Sequence, residues 1–512
     1  VVLVPSEGRV RSRGRTCYRL WSPHLWESEL NPVGYADDSL TNEVRGLTRR
    51  LLMVTPPFDV GVAPALRTAS NWVVRYLRSR LGSAVPITGA AVVGRYAGSK
   101  RRAYAEALAS LQDRPLSRWD SEVELFVKAE KTVFPLKRST PDPRVILARS
   151  KRYNIELLRY LVPIEGVLYG IESESWWGVP KGRVLAKGLN LEERAALLKE
   201  KFDQFADPVV VELDGSRWDG HVCMETLRLE HSVYKAVYPG DEDLARLLLW
   251  QESFRGRSSN GLRFTVEGKR CTGDANTGCG NSLLMLLFLR SAFKARRVKW
   301  TMLGDGDNVV LFLERGDVAS ATTYLVDWFR RCGQELTVDN KTSVFEEVTF
   351  CRMRPVQRDG TWVLTRPWTG VLGGALVSHR HYNEPVGARR MAWAVTTGEA
   401  IVSAGLPISG PTCEHLRGLF PRSAIKLDPR MGVYSQLKHF LGVDPDSAVR
   451  GFEGRGVSRS TRESFARAWG VEPEEQLRLE ALFRTVTASD VDATRMRYGP
   501  VEACSEGVAW FS

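Results

Sequence analysis

Two acidic segments carry residues that could do chemistry: Asp214-Gly215-Ser216-Arg217-Trp218-Asp219 and Gly304-Asp305-Gly306-Asp307-Asn308. Each sets carboxylates at the end of an apolar, β-prone run. Joining a nucleotide to a strand is an in-line attack by a hydroxyl on a phosphate, and negative charge grows on the attacking and leaving oxygens together. Two divalent ions about 3.5–4 Å apart can stabilise both oxygens. Hard cations such as Mg²⁺ take carboxylate oxygens brought in from separate elements, so one aspartate on each of two strands suits such a centre. Turn chemistry is the competing explanation, since Gly, Asp and Asn favour tight hairpins for backbone reasons alone.

The flanking residues supply the strands. Pro208-Val209-Val210-Val211-Glu212-Leu213 is a β-branched run ending at Asp214, and Val298 to Leu303 leads through the Gly/Asp/Asn turn into Val309 to Leu313. The second unit is predicted to be a hairpin with Asp307 at its tip. Side by side, the two units bring Asp214 and Asp307 together at the strand ends. Between them lies Arg270-Cys271-Thr272-Gly273-Asp274-Ala275-Asn276-Thr277-Gly278-Cys279-Gly280-Asn281-Ser282. Its glycines permit close backbone approach to a ligand, and Asn281 suits the cap of an apolar helix predicted over Ser282 to Phe293. Capping accounts for Asn281 and the glycines but not for the spacing [Ser/Thr]-Gly-x-x-x-Thr-x-x-x-Asn.

In order and spacing these segments resemble the RNA-directed RNA polymerases of positive-strand RNA viruses, within them the tombusvirus-like group. The likeness includes Tyr96 to Leu111, Phe126-Val127-Lys128-Ala129-Glu130-Lys131, Asp142-Pro143-Arg144-Val145-Ile146, Arg149 to Pro163, and Phe350-Cys351-Arg352-Met353-Arg354-Pro355-Val356, which resembles a turn supporting the primer strand. It runs from about residue 40 to about residue 370.

The resemblance implies an α+β right-hand polymerase with fingers, an antiparallel palm sheet and a mainly helical thumb. Asp214 and Asp307 would hold two Mg²⁺ ions, with Asp305 as a further oxygen donor. Asp219, with Thr272, Gly273, Thr277 and Asn281, would read the sugar 2′-hydroxyl, the group that separates RNA from DNA. Most relatives carry Gly-Asp-Asp where this chain has Gly306-Asp307-Asn308. An amide is a poorer ligand than a carboxylate, so Asn308 would hold the second ion weakly and Mn²⁺ would be accepted. Two other readings remain open: a reverse transcriptase on the same palm, which the Asp219 and Asn281 pair opposes, and an impaired polymerase-like RNA-binding protein, suggested by Asn308.

From Lys128 to Arg159 basic residues far outnumber acidic ones. Such runs are usually solvated faces, but Pro135, Pro141 and Pro143 oppose a plain charged helix and suit a loop folded over a channel. Arg144, helped by Lys128 and Lys131, is the expected triphosphate ligand. Lys341 is the candidate general acid for the leaving pyrophosphate, against the reading that it is a surface lysine.

The net charge of +12 points to a polyanionic partner. The implied partners are template and nascent RNA and NTPs, with an auxiliary viral replication protein and, through it, host membranes in cytoplasmic replication complexes. The 8 cysteines include no Cys-x-x-Cys pair, which suits a reduced compartment, and the 7 histidines show no metal-ligand spacing. No apolar run is long enough to span a bilayer. The start at Val1 without Met suggests a fragment of a longer product, as readthrough or frameshifting would give. The expected partition is a basic N-terminal extension at 1–40, fingers and fingertips at 41–205, palm at 206–225, a fingers insertion at 226–269, palm at 270–366 and thumb at 367–512, with a loop-rich stretch just after Pro367.

Overall fold

The computed structural model describes residues 4–5, 17–19, 33–133, 142–174, 176, 178–294, 296–375, 377–378, 385–420, 432–487 and 497–498. Arg9, Arg11, Arg13 and Arg15 of the expected extension, and Pro135, Lys137, Arg138 and Pro141 of the basic loop, lie outside them.

A four-stranded antiparallel sheet organises the centre, in the order Trp300–Asp305, Asn308–Glu314, Pro208–Gly215, Leu336–Thr342. Its middle strands read as unbroken apolar runs because both faces are covered, where a half-exposed strand would alternate. Val209, Val211, Leu213, Val309 and Leu311 join one core with the helix Thr277–Phe293. Val210, Val310 and Phe312 face a second core with Leu191, Ala195 and Leu198 of the helix Leu191–Phe202 and much of the C-terminal helical region.

A second sheet, of five strands, carries Val123–Val127 and Val145–Arg149 beside the hairpin Ser253–Ser258 and Leu262–Glu267. The residues expected as an insertion at 226–269 therefore complete a sheet begun over a hundred residues earlier. Its edge strand Val145–Arg149 meets the loop before Thr277 through a bridge between Ala148 and Gly273. The two sheets are thereby tied together beside the acidic strand ends.

Two local expectations are corrected. The helix expected from Ser282 starts at Thr277, so Asn281 lies inside it and does not cap it. The stretch after Pro367 is not a loop: Trp368–Ala375 is a helix despite Gly370, Gly373 and Gly374. Burial of Trp368, Val371 and Leu372 in the second core offsets the poor helix propensity of glycine.

At the centre of the first core, Phe288 lies 5.8 Å from Trp218 and 5.5 Å from Phe329 between ring centroids. Phe288 is fully buried. Phe288→Ala should therefore cost about 3–5 kcal/mol, read as a lower denaturant midpoint; an unchanged midpoint would mean that this cluster does not hold the core.

Candidate active site

The two acidic segments meet through strand register. Asp305 pairs with Asn308 across the hairpin, leaving Gly306 and Asp307 as a two-residue turn. Gly306 has φ +72°, the left-handed value that the first position of a type II′ turn requires. The Gly306 N–H donates to Ser282 Oγ at 3.0 Å, anchoring the turn on the long apolar helix. On the next strand Asn308 stands opposite Asp214. Asp214, Asp307 and Asn308 accordingly line one cleft of about 580 Å³.

These carboxylates are crowded. Burial raises the pKa of Asp214, and the charges of Asp307 and Asp339 raise it further. Burial likewise lifts Asp307, against the attraction of Arg144 and Lys187. Glu212, two residues before Asp214 on the same strand, is pushed up to about 7 by burial and by Asp339 and Asp214. Asp305 differs. Burial would raise it, but Lys187 and Arg194 together hold it below the ordinary range. Lys187 Nζ lies 2.5 Å from Oδ1, and Arg194 Nη2 2.8 Å from Oδ2. Both Asp305 oxygens are thus engaged by cations, which makes it a poor further metal ligand in this arrangement.

Asp219 follows the strand in the short helix Trp218–His221. Arg217, just before it, holds a left-handed backbone with φ 48°, a strained state for a residue with a side chain and one often met at functional sites. Trp218 belongs to the core. Asp219 Oδ1 accepts from Asn281 Nδ2 at 2.9 Å, joining the first segment to the second. Thr272, Thr277 and Asn281 all line the cleft. The threonine hydroxyls are already occupied in shaping the loop: Thr272 Oγ1 accepts from Leu147 N at 3.1 Å and donates to Val145 O at 3.2 Å, and Thr277 Oγ1 donates to Cys271 O at 2.9 Å. Gly273 lies against the edge strand, where a Cβ would sit 2.3 Å from Leu147 O. Its missing side chain serves loop-to-sheet contact.

Lys128 and Arg144 line the cleft and share Glu130, at 2.8 Å and 3.4 Å. Lys131 is turned elsewhere, donating to Gly374 O, and Lys341 is exposed on the strand Leu336–Thr342; neither lines the cleft. Sequence reasoning missed Arg50, Lys187, Arg217 and Arg352, which complete the cationic wall, and the acids Glu212 and Asp339. Arg217 and Arg352 lie within segments already singled out, whereas Arg50 and Lys187 carry no local signal. Burial, then the charges of Arg144 and Arg217, depress the Arg50 pKa, and the nearby acids Glu130 and Asp142 offset this only in part.

Among the described residues no three His, Cys, Asp or Glu side chains are gathered as a closed metal site. Mg²⁺ seldom uses an all-protein cage; one or two carboxylates plus substrate phosphates are its usual ligands. Asp214 and Asp307 fit that role, since their mutual repulsion would be relieved by a cation.

Paired carboxylates at strand ends, the Asp219–Asn281 hydrogen bond and a wall of cations meet in this one cleft. Residues 25–490 match the viral RNA-dependent RNA polymerase family, and the chain belongs to that family. It is 33% identical over 458 residues to the RNA-directed RNA polymerase of Carnation mottle virus, covering 88% of this chain and 58% of that protein. The Turnip crinkle virus polymerase is 32% identical over 466 residues, 88% of this chain and 58% of that protein. That of Tomato bushy stunt virus (strain Cherry) is 33% identical over 395 residues, 75% of this chain and 46% of that protein. The chain spans about half the length of the curated relatives it matches.

The raised pKa of Asp307 has a consequence for stability. An acid whose folded pKa exceeds its unfolded value of about 3.9 favours folding fully below that value, and the contribution is lost as pH rises through the folded value. Without divalent ions, Asp307→Asn should therefore melt higher than the unaltered protein at neutral pH, and the gap should close as pH falls toward about 3.9. A gap independent of pH in thermal unfolding with chelator present would refute the cost of burying the ionised Asp307.

Proposed function

We propose that the chain is an RNA-directed RNA polymerase that joins ribonucleotides on an RNA template for viral genome replication. The observation that carries this reading is the pair Asp214 and Asp307 on one cleft whose wall is formed by Arg50, Lys128, Arg144, Lys187, Arg217 and Arg352. The membership of a polymerase family and the printed activity of its relatives agree with it.

In this reading Asp214 and Asp307 hold the divalent cations, Mg²⁺ with Mn²⁺ as a substitute, and Asn308 is the weak neighbour of the pair. Bound there, the cations would stabilise charge on the attacking 3′-oxygen and the leaving pyrophosphate oxygen. Arg144, Lys128 and the other wall cations orient the triphosphate; phosphoryl transfer depends mostly on positioning and charge stabilisation. Asp219 and Asn281 engage the ribose. In this reading the triphosphate is met without Lys131, which donates to Gly374 O, and without the exposed Lys341.

The proposed partition follows the sheets: palm at 206–225 and 270–366 around the acidic sheet, fingers at 41–205 and 226–269, and a helical thumb at 367–512. Template, nascent strand and NTPs are the partners, with an auxiliary viral replication protein and host membranes as further ones in a cytoplasmic complex. Among the described residues no helix is long and apolar enough to cross a membrane.

Purified protein given a short RNA template and labelled NTPs should incorporate nucleotide only when template and a divalent ion are present. Asp214→Ala and Asp307→Ala should each abolish incorporation, while melting stays cooperative. Template-independent incorporation, or activity retained in either variant, would overturn the assignment. Asn308→Asp should raise the Mg²⁺-supported rate relative to the Mn²⁺-supported one; an unchanged ratio would remove Asn308 from the metal site.

A further inference from the structure

Behind the cleft runs a buried polar chain that the transfer chemistry does not itself use. Glu230, on the helix Met224–Val237, is 0% exposed and Arg270 is 1% exposed. The Arg270 guanidinium reaches Glu230 with Nη1 at 3.2 Å from Oε1, and with Nη2 on Oε2. Tyr234 Oη and Asn276 Nδ2 also donate to Glu230 Oε1, at 2.9 Å and 2.7 Å. Arg270 Nε then donates to Asn281 Oδ1 at 3.0 Å, and Asn281 Nδ2 to Asp219 Oδ1 at 2.9 Å.

The chain has one direction. An arginine side chain can only donate and an ionised carboxylate only accept, so the Asn281 carboxamide must turn its oxygen to Arg270 and its nitrogen to Asp219. Reversed, it would set donor against donor and acceptor against acceptor in a buried place, at a cost of about 1–3 kcal/mol for each unsatisfied group. Glu230 fixes the Arg270 fork that imposes this orientation. It also sets the start of the helix carrying Asn281: a Cβ on Gly280 would lie 2.3 Å from Glu230 Oε1, so the helix backbone rests directly on that carboxylate.

We infer that Glu230 and Arg270 are positioning residues for sugar recognition, locking Asn281 so that its second amide hydrogen and a carboxylate oxygen of Asp219 are presented together to a ribose 2′-hydroxyl. A hydroxyl accepts from one and donates to the other, and a 2′-deoxy sugar can do neither. The inference rests on the nucleotide-site reading of the cleft. A merely structural ion pair would, when weakened, loosen binding of both sugars alike; a positioning pair changes their ratio.

Binding of GTP and 2′-deoxy-GTP, measured by calorimetry in the same Mg²⁺ buffer, reads that ratio. The unaltered protein should prefer GTP by about tenfold or more, the equivalent of one to two hydrogen bonds. In Arg270→Lys the charge opposite Glu230 is kept, but one ammonium cannot serve the carboxylate and Asn281 in the guanidinium's geometry; the preference should fall to within about threefold of unity. Glu230→Gln, of the same shape, should do the same and carries the test if the lysine variant melts poorly. Equal binding of both sugars by the unaltered protein, or a preference unchanged in a folded variant, overturns the inference. Template-directed incorporation is followed in parallel: its absence beside an intact sugar preference removes the polymerase reading alone, and its presence beside equal binding removes the positioning role alone.

Discussion

The arrangement depends on the register between the strands Pro208–Gly215 and Asn308–Glu314. Register in a sheet is all or nothing, because a slip of one residue turns every side chain to the opposite face. Near the cleft, the two-residue turn at Gly306 and Asp307 fixes the neighbouring hairpin of Trp300–Asp305 with Asn308–Glu314. At the far end Glu314 accepts from the backbone N–H groups of Ala206 and Asp207 at 3.1 Å and 2.9 Å, and Arg315 pairs with Asp207 at 2.8 Å. Exposed ion pairs of this kind contribute little to stability singly. What they do is make one alignment better than its neighbours, and that alignment sets Asn308 beside Asp214.

The register also brings like charges together in a buried place, and burial first, then repulsion, raises the acids there. Asp214, Asp307, Glu212 and Asp339 share a cleft with Arg50, Arg144, Lys187, Arg217 and Arg352. The two signs are not simply paired off. Asp305 is neutralised by Lys187 and Arg194, whereas Asp214 and Asp307 are left with raised pKa values. Acids held above their ordinary range and an arginine held below its own describe a site whose charges await partners from outside. A divalent cation and a polyphosphate have the two signs required.

The strands, the hairpin and the acidic tips were legible in the sequence because they rest on local rules: β-branched runs, a Gly-Asp turn, an apolar helix. Arg217 and Arg352 were within reach, since both stand in quoted segments. Arg352, with φ 62°, even occupies a left-handed turn position that its side chain disfavours, something only coordinates reveal. Arg50 and Lys187 were not legible, because their place in the cleft is made by packing between elements far apart in the chain. Lys131 is a different case. Its sequence neighbourhood is basic, but the lysine turns to the carbonyl of Gly374, and no periodicity encodes that choice. The helix at Trp368–Ala375 was lost to the same cause, tertiary burial overriding the local cost of its glycines.

The segment from Arg270 to Ser282 shows why a spacing can be constrained without every member touching a ligand. Thr272 and Gly273 fasten the loop to the edge strand, Thr277 closes it on Cys271, Arg270 and Asn276 turn inward to Glu230, and Ser282 carries the Gly306 turn. Asn281 alone among them bonds a carboxylate of the acidic strand's segment. Most of the segment is therefore scaffold for a single amide and a single turn. Preorganised dipoles need no reorganisation when charge develops nearby, and that rigidity is what makes them effective in an electrostatic site. A loop read as a ligand cradle is better understood as a brace: it holds Asn281 against Asp219 on one side and Asp307 beside Asp214 on the other, so that sugar and phosphate would be addressed from one fixed frame.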